Sequence, residues 1–169
     1  MNIILVLLRL LHIVSAVSWL ALGATMTLYV APAAVTAGEN GYRYLKTLFT
    51  RTAFTKAIPA VAGITTLAGI LLYIVGNSSS HFSQTGNMVL GIGAVAGLIA
   101  TIHGGALTGR ATTALNKVLE TVPDSNQSIP AATLTQLNSL ATTLLGHARI
   151  SLVLMVIALI GMGSARYLT

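Results

Sequence analysis

The stretch "LLRLLHIVSAVSWLALG" (Leu7–Gly23) is apolar enough to enter a lipid bilayer, yet it carries Arg9 and His12 three residues apart. Ionisable side chains inside hydrocarbon are expensive and mark function by default. The fold follows from the apolar run, and the functional question follows from its two polar interruptions.

Composition extends the reading to the whole chain. Of 169 residues, 54% are hydrophobic and only 7% are charged. A soluble domain is about one quarter charged, so this chain belongs in a membrane. Its length is that of one domain, spanning 1–169. With no cysteine, structural disulfides, thiolate metal sites, iron–sulfur clusters and covalent CxxCH haem attachment are excluded. The net charge of +6 sits mainly at segment ends and in connections. It therefore fits membrane orientation and anionic headgroups, and no nucleic-acid partner is expected.

A span needs about 20 predominantly apolar residues. Four stretches qualify, approximately 3–35, 53–75, 87–119 and 131–167, the third ending as a polar extension beyond Leu107 and the fourth starting near Pro130. Long alanine- and leucine-rich runs suit helices, and open sheet edges cannot face lipid. The expected fold is an all-α, four-helix transmembrane bundle. "APAA" (Ala31–Ala34) resembles a signal-peptide cleavage site, but the apolar region is too long and lacks a basic leader, so a mature helix is expected.

The connections differ in charge. The first, Thr36–Lys56, carries Arg43, Lys46, Arg51 and Lys56; the second, "GNSSSHFSQTG", carries no lysine or arginine; the third pairs Arg110 and Lys117 with Glu120 and Asp124 and otherwise reads as a plain polar connector. The positive-inside rule makes the first and third cytoplasmic, leaving both termini outside.

The polar groups in the spans are Arg9, His12, His103, His147 and Arg149, with His81 in the second connection. At 1.5 Å per residue, His103 and His147 lie roughly 24 and 30 Å from the outer ends of their helices, whereas His12 lies about 13 Å in. This sorts the histidines into an inner pair, His103 and His147, and an outer pair, His12 and His81. His12, Ser15, Trp19 and Gly23 form one helical stripe that Arg9 joins one turn earlier, and Arg110 follows His103 by seven residues, almost directly below it on a regular helix.

Two readings compete. Small residues such as Gly93 and Gly97 let membrane helices approach closely, and His12 can hydrogen-bond a neighbouring helix through Ser15 or Thr65. Alternatively, Gly104 beside His103 makes room for a flat macrocycle, imidazoles ligate its iron, and arginines pair with its carboxylates. On that second reading the candidate cofactor-binding residues are Arg9, His12, Trp19, His103, Gly104, Arg110, His147 and Arg149, and the candidate metal ligands are His12, His81, His103 and His147. No acid lies within a span, which disfavours a carboxylate proton relay, and the scattered methionines form no copper-type cluster.

The first helix, through Leu8, Leu11, His12, Trp19, Gly23 and Pro32, resembles the CopD-like superfamily of small bacterial integral membrane proteins. More distantly it resembles the HemJ-type protoporphyrinogen oxidases. "AGITTLAGILLY" in the second span and "ARISLVLMVIALIGMGSARYL" in the fourth extend the likeness to the rest of the chain. The resemblance implies a bacterial inner-membrane location and, from the HemJ-type proteins, b-type haem with His12 as a ligand. "LYVAPAA" stands where those oxidases carry basic and aromatic residues. The expected function is therefore b-type haem binding, one or two haems, for electron transfer within or across the membrane. A quinone or a redox protein would be the partner. A porphyrinogen-oxidase-like enzyme, a copper-related protein, a homo-oligomer and a subunit of a larger membrane complex are the alternatives.

Overall fold

The computed structural model describes residues 3–75, 84–124 and 127–168, all helical or in short connections, with no strand among them. The first span is α1 (Ile3–Thr25), a π turn (Met26–Val30) and α2 (Ala31–Thr36) in one continuous run. Next come α3 (Glu39–Arg51) and α4 (Phe54–Val75). The third span is α5 (Thr85–His103), a second π turn (Gly104–Thr108) and α6 (Gly109–Leu119), and the fourth is α7 (Ala131–Ser164) with a closing 3₁₀ turn. The four runs are long and apolar enough to cross a membrane. The fold is the expected all-α four-helix bundle of a multi-pass membrane protein.

Both π turns have local causes. Pro32 has no N–H to give the carbonyl four residues back, and its ring crowds that carbonyl. The helix widens just before it, and Ala31 donates instead to Met26 O. In the third span Gly104 and Gly105 leave the turn unrestrained by side chains, and Gly109 donates to Gly104 O.

The bundle is two tight antiparallel pairs, α1 with α4 and α5 with α7, which touch each other far less extensively. Small residues set the second pair. A Cβ on Gly93 would lie 2.9 Å from Met162 N, and one on Gly161 would lie 2.9 Å from Gly93 Cα. These contacts support the helix-packing reading of the glycines.

At one end the helices outrun a bilayer and build a cap with its own core. Tyr42, Leu45 and Phe49 of α3 pack with Leu115 and Leu119 of α6 and Leu137 of α7. Two expectations are corrected here. The first connection holds a 13-residue helix, because tyrosine, leucine and phenylalanine recur three or four residues apart along an otherwise charged segment. The third connection is more than a polar connector, since Val122 and Ile129 are buried in the cap.

Polar ties close the cap. Glu39 bridges Arg43 at 3.0 Å and accepts from Ile129 N at 3.1 Å; Lys46 donates to Val122 O at 2.5 Å and pairs with Asp124 at 2.6 Å. Lys46 holds the Asp124 carboxyl below its usual range, first by the hydrogen bond and then by its charge. The α2–α3 turn needs glycine twice. Gly38 has φ +60°, and a Cβ on Gly41 would fall 1.9 Å from Ala34 O.

Candidate imidazole site

His103 closes α5 immediately before the π turn, and His147 lies midway along α7. The α5–α7 packing brings their rings edge to face, with centroids 5.7 Å apart and planes at 62°. Ser151, one turn beyond His147 and buried, completes the group. Its Oγ lies 2.9 Å from His103 Nδ1 and 3.2 Å from Thr108 Oγ1, a residue of the π turn. His147 has no hydrogen-bond partner among the described residues. The pairing of His103 with His147 is legible from helix rise. Ser151 is visible on the face of His147, but its bond to His103 depends on the crossing of the two helices.

The second histidine site lies in the other helix pair. His12 Nδ1 donates to the Thr65 carbonyl at 2.8 Å, and Thr65 Oγ1 lies 2.9 Å from Ser15 Oγ. Gly69 makes room for the ring, since a Cβ there would meet His12 Cε1 at 2.9 Å. The expected bond from His12 to a neighbouring helix through Thr65 is therefore present. Because a carbonyl can only accept, Nδ1 carries the proton and a neutral ring keeps its lone pair on Nε2.

The two sites stand closer in depth than helix rise alone suggests. Thr66 Oγ1 and Thr101 Oγ1 are 2.8 Å apart. Thr66 adjoins the partner of His12, and Thr101 lies two residues from His103, so Thr65 and His103 differ in level by no more than about 5 Å along the axes. Hydroxyls and imidazoles from all four spans thus form a lateral polar belt. His81 lies outside the described residues.

None of Trp19, Arg9, Arg110 and Arg149 hydrogen-bonds a histidine among the described residues. Trp19 is buried in a packing cluster with Ala62, Ala100 and Met155. Arg9, Arg110 and Arg149 are all exposed. The π turn takes up an extra residue between His103 and Arg110, so Arg110 is rotated by roughly 100° from the position a regular helix would give it. It lies instead in a shallow groove with Gly105, Gly109, Thr113, Ala114 and Lys117.

Which cofactors these residues fit depends on clearance. An ion bound at about 2.0 Å from each imidazole nitrogen allows ring centroids up to roughly 6 Å apart, and 5.7 Å falls within that span. A macrocycle lying flat between the two rings does not fit, because Ser151 already bridges α7 to His103 and Thr108, and a Cβ on Gly104 would be only 3.9 Å from Ser151 Oγ. Single-histidine ligation is compatible with His12 and with His103, whose Nδ1 atoms are engaged and whose Nε2 atoms have no partner among the described residues. No cluster of three or more histidine or acidic side chains occurs among the described residues. No family model, curated protein or solved structure matches the chain.

Proposed function

We propose that this chain is a membrane redox protein that holds its centre by histidine imidazole inside the bilayer and passes electrons within or across it. The observation that supports the reading is that His12 and His103 each engage Nδ1 with a neighbouring helix and leave Nε2 without a partner among the described residues, in spans without any acid. A ring oriented by Thr65 O or by the buried Ser151 would offer Nε2 as a ligand with its outer support already in place. Haem b is the first cofactor proposed, with a single axial ligand, His12 or His103. When bound it would supply one-electron chemistry. The protein's part is to fix the ring orientation through Thr65 O or Ser151 Oγ and to surround the site with apolar side chains. A quinone or a redox protein is the proposed exchange partner.

A second reading is favoured by the closed α5–α7 seam. The 5.7 Å pair suits one transition-metal ion bridging His103 and His147, and copper is compatible with imidazole ligands. A reduced-minus-oxidised absorption spectrum with pyridine haemochromogen and elemental analysis of the purified chain separates the readings. A b-type α-band lost in His12→Ala or His103→Ala supports haem. Stoichiometric copper without that band, lost in His147→Ala, supports the ion. A preparation with neither, even after haem or copper addition, defeats both.

We further propose that the cap faces the cytoplasm of a bacterial inner membrane with both termini outside. The cations of the first and third connections support this by the positive-inside rule. Because the chain has no cysteine, single cysteines introduced at Thr50 and Ser164 can be labelled from either side; labelling of residue 50 from outside would reverse the orientation.

A further inference from the structure

We propose that the groove formed by Gly105, Gly109, Arg110 and Lys117 binds the phosphate of an anionic phospholipid headgroup. Every acid in the chain is already engaged inside the cap. Glu39 bridges Arg43, Asp124 bridges Lys46, and Glu120 accepts from Asn116 at 2.9 Å. Arg110 and Lys117 are both exposed, and among the described residues neither makes an ion pair.

Their level suits a headgroup. Twenty residues from Met88 cover about 30 Å, the thickness of the hydrocarbon core, and end at Leu107. Arg110 then stands at the membrane boundary, and Lys117 lies about 10 Å further out. Helical side chains lean toward their helix N-terminus, which for α6 is the membrane side, so Arg110 inclines back over the glycines and Lys117 inclines back toward Arg110. Nothing lies within 4 Å of a Cβ built on Gly105, so the glycerol end of a lipid whose phosphate meets Arg110 can lie against the backbone there. Exposed Ile102 and Leu107 continue the surface into the lipid region and suit acyl chains. Free phosphate would gain nothing from that apolar continuation, which favours the lipid.

The test is native mass spectrometry of the full chain in detergent, titrated separately with phosphatidylglycerol and phosphatidylcholine. Two cations near a phosphate predict roughly a thirtyfold preference for the anionic lipid. The Arg110→Gln/Lys117→Gln double variant should lose it, Arg166→Gln at the opposite end should keep it, and Gly105→Leu should weaken it with the charges intact. Equal binding of the two lipids by the native chain, or an unchanged preference in both groove variants, overturns the proposal. Displacement of the lipid by inorganic phosphate at comparable concentration overturns the lipid assignment in favour of a free-anion site.

Discussion

Thr66 and Thr101 join the two halves of the bundle through hydroxyls 2.8 Å apart. It is the one side-chain hydrogen bond between described residues that ties α4 to α5. Each hydroxyl also reaches a carbonyl of its own helix, Thr66 to Ala62 O at 2.9 Å and Thr101 to Gly97 O at 3.0 Å, so neither depends on the other for satisfaction. Interhelical bonds of this kind average about 0.6 kcal/mol. Thr101→Val should therefore lower the stability of the bundle by about that amount without unfolding it. A loss of several kcal/mol on denaturant titration would mean that the contact matters far beyond its own strength.

Ser151 should matter more to a bound centre than to the fold. Ser151→Ala removes the oxygen beside His103 Nδ1 and Thr108 Oγ1, and loss of such an outer partner typically weakens metal binding by about 10- to 100-fold. Binding isotherms for copper or haem against native chain and variant check this. Equal affinities would remove Ser151 from the site.

The glycines should divide by what a methyl group meets. Gly93→Ala places a carbon 2.9 Å from Met162 N and should destabilise the α5–α7 pair by about 1–3 kcal/mol. Gly63→Ala meets nothing within 4 Å and should be neutral or slightly stabilising through helix propensity. If thermal inactivation shows equal effects, the close approach is not what holds the pair together.

The cap should loosen at both extremes of pH. The carboxyl of Asp124 is held low by Lys46, so its contribution is present above the ordinary carboxylate range and disappears as the pH falls through the lowered value. Tyr42 behaves oppositely. Burial pushes its hydroxyl above 10.0, so its contribution is complete below that value and declines as alkali ionises the unfolded form. Tyr42 also donates to Asn138 Oδ1 at 2.6 Å, and Tyr42→Phe should cost about 1 kcal/mol. Thermal unfolding at pH 3, 7 and 11 should show the Asp124→Asn chain losing less than the native chain in acid and the Tyr42→Phe chain losing less in alkali.

Much of the architecture is legible in the sequence because lipid imposes one simple demand, a long apolar helix. The four spans and the meeting of His103 with His147 follow from run length and rise. Helix α3 is harder to read because three large apolar residues carry its burial while its charges dominate the composition. The rotation of Arg110 is hidden for a different reason. A single π turn after His103 shifts every later side chain by one position, and only the glycines at 104 and 105 hint at it. Pro32 is a clearer sign of the other turn, since a proline inside a helix must disturb the preceding carbonyl.

The cap also has an order of assembly built into it. Its core draws on α3, early in the chain, and on α6 and the start of α7, which a ribosome makes much later. Until α7 emerges, Tyr42, Leu45 and Phe49 have no complete surface to cover them. Insertion of the first two spans must therefore leave an amphipathic helix waiting at the membrane surface, its apolar face resting on lipid. Closure of the cap would wait for α7, and chains truncated before Ala131 should remain associated with the membrane yet easily cleaved between Glu39 and Arg51.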